Sequence, residues 1–358
     1  MTHVSVRRGL LYVSVAATAW GTGGAAGALL HRASGLGPVS VSFWRFAVGA
    51  ATLLLASRLL GLGPASGPGR PSGLGRPAGL QRLSALRRLS QLGRLSGLRR
   101  LSQPRRLSGL RRLSELGRLS GPGRVVVTGT AMAVYQTAYF AAIAESGLAV
   151  ATVITMGATA VLVATGARLL LRERLGPAGV GSVVIALIGL VALALDGGSA
   201  TFSLPGIGWA LLSAAGYAGV TLLNRAVAGE PYATTAGSLA VGCLCLLPVA
   251  LSQGLLPLGD PITSSVIIVY LGTIPTAAAY GLFFAGLTAV RATTATVISL
   301  VEPVCAAVIG VLLLGERLTP QAACGSALLL AAVGLLALDE RGDDRTRARP
   351  SRENRTGA

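Results

Sequence analysis

The sequence predicts an all-α membrane protein: ten transmembrane helices arranged as two inverted five-helix repeats, with a disordered Arg-rich cytoplasmic insertion. Three observations predict it. First, 52% of the residues are hydrophobic and only 12% charged, with a mean hydropathy of +0.67, well outside the range of soluble globular chains. Second, apolar stretches of roughly 20 residues recur, the length a helix rising 1.5 Å per residue needs to cross about 30 Å of hydrocarbon. Third, the chain repeats itself at a fixed offset.

The spans fall near Gly9–Leu30, Pro38–Leu60, Val125–Ala144, Leu148–Leu170 and Pro177–Leu195 in the first half. Those of the second half fall near Gly206–Leu223, Thr234–Ser252, Val266–Leu287, Ala292–Leu314 and Gln321–Leu338. Arg7 and Arg8 ahead of an apolar run, with Ala17-Thr18-Ala19, imitate a signal peptide, but the run continues to Leu30 and reads as a retained first helix. Cys243, Cys245, Cys305 and Cys324 all lie inside spans. With only two His in the chain, they read as small packing residues rather than a metal cluster or a disulfide framework.

The basic residues set the orientation. All 31 are Arg. With the N-terminus inside, 28 of them fall on cytoplasmic segments, Arg32 and Arg317 outside and Arg45 within a span, as the positive-inside bias requires. Both termini are then cytoplasmic. Fourteen Arg lie between Arg70 and Arg124 against one acid, Glu115, so the pI near 11.4 is mainly a property of one loop. That insertion, residues 61–123, is a six-residue Arg-Leu-Ser repeat with no aromatic for base stacking. Anionic phospholipid on the cytoplasmic leaflet suits it better than nucleic acid. Its Leu recur about every three residues and wind around a helix axis, so no apolar face is sustained and disorder is expected, as it is for the tail 340–358.

The repeat is explicit. "YFAAIA" at 139–144 aligns with "FFAGLT" at 283–288, and "ATVIT" at 151–155 with "ATVIS" at 295–299. "LLRERLGP" at 170–177 matches "LLGERLTP" at 313–320, while Tyr12 and Trp20 fall on Trp209 and Tyr217. The units are 9–196, interrupted by the insertion, and 205–339. Five helices being an odd number, the second copy enters the membrane from the opposite side, the inverted topology of many secondary transporters, in which a cleft between the copies opens to either side.

The "AWG" at 19–21, Arg45 in the second span, "LLRERL" at 170–175 and "VEPVCAAVIGVLLLGERLTPQ" at 301–321 resemble the drug/metabolite transporter superfamily, in particular its ten-helix branch with paired EamA domains. The resemblance covers most of residues 9–60, 124–196 and 205–339. It implies a secondary carrier in the cell (inner) membrane that exports a small metabolite or drug-like amphiphile. The family's first copy usually carries a Pro in its fourth helix; the position aligned with Pro303 is here Thr159, so no proline kink is expected there.

Several residues are candidates for the substrate pathway. Glu302 sits deep in the ninth span, where a carboxylate must be paired, hydrated or protonated. It can carry a proton as the cleft alternates, meet a cationic substrate, or serve as a structural hydrogen bond. Pro303 cannot donate to the carbonyl of Ser299, so the helix should bend there. Thr296 and Ser299 extend a polar stripe, and their repeat-mates Thr152 and Thr155 build a second. Arg45 lies about seven residues, roughly 10 Å, below the outer end of its span. It can snorkel, pair with an acid such as Glu145, or meet an anionic group of the substrate. Trp20, Tyr135, Gln136, Tyr217 and Tyr280 lie inside spans rather than at the interface, where Trp and Tyr usually anchor; together they suit a mixed polar and apolar solute.

Other features have simpler structural explanations. The Arg168, Arg172 and Arg174 cluster is a topology signal. "GTGGAAG" at 21–27 imitates a nucleotide loop, but no strand precedes it and close helix packing explains it. Gly181, Gly189, Gly325 and Gly334 permit tight packing, either within the chain or across a homodimer. No phosphate loop for ATP hydrolysis, no His-Glu-x-x-His and no Gly-x-Ser-x-Gly occurs, so no enzyme and no cofactor is implied. The alternative to a carrier is a non-transporting membrane sensor or scaffold that uses the Arg-rich loop to bind lipid or a partner.

Overall fold

The computed structural model describes residues 4–59, 121–173, 176–195, 203–227, 230–257, 259–314 and 319–348. Most of the expected insertion and the end of the tail lie outside the described residues. Among these residues the structure is helical, with no strand.

In chain order the helices are α1 (Val6–Ser34), α2 (Pro38–Leu59), α3 (Pro122–Leu170), α4 (Pro177–Leu195), α5 (Leu204–Ala226) and α6 (Pro231–Gln253). Then follow α7 (Pro261–Gly272), a π-helical turn (Thr273–Ala278), α8 (Ala279–Leu287), α9 (Ala292–Ser299), α10 (Val301–Leu314) and α11 (Pro320–Ala348). Among the described residues eight segments are long and apolar enough to cross a membrane: α2, both arms of α3, α5, α6, the α7–α8 run, Ala292–Ile309 and Pro320–Asp339. The 29-residue α1 and the 19-residue α4 cover the other two expected spans.

Proline starts many of these helices because its missing N–H is one of the donors a first turn leaves unused and its φ is already helical. Pro122, Pro231 and Pro261 all do this. Asp260 explains why α7 begins five residues before the expected Val266. Its carboxylate accepts from the N–H groups of Ile262 (3.1 Å) and Thr263 (3.3 Å), capping donors that would otherwise be orphaned. The hydroxyl of Thr263 also donates to it. That hydroxyl, then the two N–H groups, hold the exposed Asp260 carboxyl below the usual carboxylate range.

Three other boundaries differ from expectation. The third and fourth spans run as one 49-residue helix broken at Gly147, where φ 77 and ψ 163 require a residue without a Cβ. The single span expected at 292–314 is split at Leu300, which closes α9 with its N–H on the carbonyl of Val297 (3.1 Å). Finally, α11 continues to Ala348, nine residues into the tail expected to be disordered. Each residue added to an anchored helix needs only one more hydrogen bond and no new nucleus, so even a charged stretch propagates.

The helices pack as a bundle with an inside-out surface. α5 lies along both arms of α3, α4 along α11, α2 along α6, and α1 against α8 and α10. Val13, Trp20, Phe46, Met132, Leu239 and Phe283 are among the buried residues of the largest core. Meanwhile Leu55, Leu59, Leu204, Val266, Leu312 and Leu338 stand exposed, an apolar surface that hydrocarbon, not water, accommodates. Charged and polar contacts gather at the two ends. One end holds the ion pairs Arg225–Glu173 (2.8 Å) and Arg291–Asp339 (2.6 Å). The other holds Asp260, the hydrogen bond from Ser203 to Glu145 (3.3 Å) and the indole N–H of Trp44 on the carbonyl of Leu255 (2.9 Å).

Candidate functional site

A cavity of about 480 Å³ lies in the middle of the bundle, walled by α1, α2, both arms of α3, α5, α8, α9 and α10. It reaches the α1–α2 connection at Leu36 and Pro38, on the side away from the two ion pairs. The charged residues among its lining are Arg45 and Glu302.

Aromatic rings form one wall. Trp20 packs at 5.1 Å from Tyr280 and 5.2 Å from Phe283, and Tyr135 meets Tyr217 edge-on at 5.5 Å. Tilted and edge-on pairs set ring hydrogens against π faces, which fixes the rings. The hydroxyls of Tyr135 and Tyr280 hydrogen-bond to each other, and the Ser213 hydroxyl donates to the carbonyl of Tyr135 (2.9 Å). The indole N–H of Trp20 is buried and has no acceptor among the described residues.

Arg45 is held by a defect in the facing helix. Pro275 has no N–H to give to the carbonyl of Leu271, and the backbone widens there into the π-helical turn. The Thr276 hydroxyl takes over that carbonyl (2.7 Å) and accepts from Nε of Arg45 (3.2 Å). Thr276 is fully buried. Among the described residues no carboxylate stands within ion-pairing distance of Arg45. Glu145, the acid suggested for it, is exposed at the end of the bundle with Ser203.

Glu302 lies in the first turn of α10 because the helix is interrupted two residues earlier. The bend expected at Pro303 thus appears at Leu300: the proline ring and its missing N–H disturb the turn before it, where the carbonyl of Ser299 loses its partner. A carboxylate at the start of a helix faces the positive end of its dipole, as at the discontinuous helices of carriers. The Gly21 of "AWG" makes room for this segment. A Cβ there would stand 2.4 Å from that of Cys305 and 2.7 Å from the carbonyl oxygen of Glu302.

Of the residues singled out in the sequence, Trp20, Arg45, Tyr135, Gln136 and Thr155 line the cavity, as do Tyr217, Tyr280, Thr296, Ser299 and Glu302. Gln136 donates to Ser42 (3.3 Å). Thr296 and Ser299 return their hydroxyls to carbonyls of their own helix, Ala292 and Ala295, at 3.0 Å, which leaves their lone pairs as acceptors. Thr152 stands behind the wall, bonded to the hydroxyl of Tyr139 (2.7 Å), and it is Tyr139 that faces the cavity. Pro303 acts on the backbone rather than as lining. Sequence reasoning missed Tyr139, Met156, Ser213 and Thr276. The alignment of "YFAAIA" with "FFAGLT", which makes Tyr139 the mate of Phe283, is a signal that could have found Tyr139, whereas a Thr inside a span gives none for Thr276.

Comparison with known proteins agrees with this geometry. Residues 204–338 match the EamA-like transporter family. The uncharacterized transporter YwfM of Bacillus subtilis (strain 168) is 34% identical over 220 residues, covering 60% of this chain and 72% of that protein. An uncharacterized transporter of Archaeoglobus fulgidus is 29% identical over 197 residues, covering 54% of this chain and 69% of its own length. A solved crystal structure shares the fold with a TM-score of 0.67 at 19% identity, covering 94% of this chain and 99% of the other. Identity of this extent over most of a transporter, together with the family match in the second half and the multi-pass apolar helices, identifies the chain as a member of the EamA-like transporter family of membrane transporters.

Proposed function

We propose that the chain is a secondary active transporter of the cell membrane that exports a small metabolite or drug-like amphiphile by alternating access. The two five-helix halves, 9–196 and 205–339, form one inverted repeat of ten transmembrane helices. The observation that carries the reading is the origin of the cavity walls: repeat-mates face the same space. Trp20 and Tyr217, and likewise Thr155 and Ser299, all line it. Helix pairing supports the same reading. α5 packs on the two arms of α3 as α1 packs on α8 and α10, and α2–α6 and α4–α11 pair equivalent helices of the two halves. Such symmetry lets one half rock against the other and move the opening from side to side.

The Arg distribution assigns the end with Arg225–Glu173 to the cytoplasm, and with it both termini. The cavity then faces outward. Its lining is largely apolar and aromatic with one cation, one carboxylate and several hydroxyls, which suits an amphiphile with at least one charged group. Glu302 carries the coupling proton: protonation and release of a carboxyl at the cleft links the proton gradient to the substrate. The Arg-rich insertion, outside the described residues, holds anionic phospholipid by charge alone.

The test is counterflow in proteoliposomes, with a substrate first found by thermal shift of the purified protein against a metabolite library. Glu302→Gln is expected to abolish the dependence of counterflow on pH. Preserved counterflow with the wild-type pH dependence would overturn the proton role, and absence of counterflow by wild-type protein with any stabilising ligand would overturn the carrier reading.

A further inference from the structure

The Arg168, Arg172 and Arg174 cluster encloses one acid, Glu173, and the fold gives that acid a task of its own. Beyond the end of α3, Arg172 takes φ 56, the left-handed region that residues with a Cβ seldom adopt. The N–H of Glu173 thereby turns back onto the carbonyl of Ala167 (3.0 Å), closing the helix end. The Glu173 side chain is sent across to the other half. Its Oε1 accepts from Nε of Arg225 at the end of α5 (2.8 Å), and its Oε2 from the backbone N–H of Ala292, the first residue of α9 (3.1 Å).

Arg225 completes the contact. Its Nη1 donates to the carbonyls of Leu287 (3.0 Å) and Thr288 (3.4 Å) at the end of α8. One ion pair therefore holds both sides of the α8–α9 connection, with the anion at a helix N-terminus and the cation at a helix C-terminus, the arrangement both dipoles favour. The side chains are only 26% and 13% exposed, so salt and water screen the pair less than they would a surface pair. Directly beneath it Ala292 and Thr293 are buried. Glu173 belongs to the first half; the groups its side chain binds among the described residues, Arg225 and the N–H of Ala292, belong to the second, at the end opposite the cavity's reach toward Leu36.

We propose that Glu173 is the positioning residue that latches the cytoplasmic end shut while the cavity faces outward, and that its release from Arg225 and Ala292 precedes inward opening. This rests on the alternating-access reading above. A latch present in one state alone shifts the population of that state by its own interaction free energy.

The test uses full-length protein in liposomes of defined sidedness, with the four Cys replaced by Ser. Two single reporters are labelled by a membrane-impermeant maleimide: Thr293→Cys, probed from the cytoplasmic side, and Ile143→Cys in the outer part of the cavity, probed from outside. Adding Glu173→Gln, and separately Arg225→Gln, is expected to speed labelling at 293 about tenfold, the scale of one charge-assisted hydrogen bond, and to slow labelling at 143. Unchanged rates at both positions would overturn the latch and leave alternating access standing. Rates that rise at both would mean general loosening and would overturn the latch, whether or not the variants elute as folded protein.

Discussion

Gly189 of α4 and Gly325 of α11 approach each other reciprocally: a Cβ on either would stand within 2.8 Å of the other's carbonyl oxygen (2.8 Å from Gly189, 2.7 Å from Gly325). The small residues of these helices therefore serve, at this pair, a contact within the chain. Gly181 and Gly334, by contrast, have nothing within 4 Å of such a Cβ. Gly325→Val should cost about 1–3 kcal/mol of overpacking, because the obstacle is backbone and cannot rotate away. Its melting temperature in detergent should fall by several degrees, while Gly334→Val melts within a degree or so of wild type. Equal melting of the two variants would contradict the packing.

Arg45 is placed by Thr276, and that relationship separates two substitutions that sequence comparison would treat alike. Thr276→Ser keeps the hydroxyl that donates to Leu271 and accepts from Arg45. Thr276→Val keeps the shape and removes both bonds. Losing a hydrogen bond to a charged group is worth roughly 1.5–3 kcal/mol. Half-saturating concentration for an anionic or zwitterionic substrate should rise about tenfold in Thr276→Val and stay near wild type in Thr276→Ser. Uptake or counterflow measured across a concentration series decides it.

The contrast between Arg45 and Thr276 also shows how far the sequence could be read. Span positions were legible because hydrocarbon thickness fixes their length and a buried charge such as Arg45 or Glu302 stands out against apolar neighbours. Thr276 was not legible, since a Thr in a span is ordinary and only the widened turn after Pro275 gives its hydroxyl two partners. Glu173 was hidden by Arg172 and Arg174, whose positive charge dominates the local pattern and reads as topology. Tyr139 lies toward the C-terminal end of its span, where an aromatic residue reads as an interface anchor. In each case the missing information was which neighbour the fold brings close, a property of tertiary packing.

Asp260 should make the N-terminal end of α7 sensitive to acid. Its carboxyl is held below the usual range by the Thr263 hydroxyl and two N–H groups. A carboxylate depressed in the folded state adds stability that is fully present above its unfolded pKa, about 4, and is lost as pH falls through the lower folded value. Asp260→Ala should melt below wild type at pH 7, and the gap should close as the pH falls below the unfolded pKa of about 4 and through the lower folded value. Asp260→Asn, which still caps, should lie between the two at pH 7. A gap that stays constant across this range would assign the effect to packing instead.

The start of α3 dictates how the Arg-rich insertion can be removed for a decisive experiment. Pro122 occupies the first turn of α3, and Gly121 before it adopts φ 63, so a deletion that reached Gly123 would destroy the helix entry along with the loop. Deleting residues 64–119 spares both. If the insertion serves only to hold anionic lipid, transport by the shortened protein in zwitterionic liposomes should match that of the full chain. Sedimentation with vesicles rich in anionic lipid should lose the salt-sensitive contribution expected of the thirteen deleted Arg against Glu115. Transport abolished by this deletion, with α3 still folded by circular dichroism and melting, would shift the working part of the protein from the cavity to the loop and favour a sensor or scaffold over a carrier.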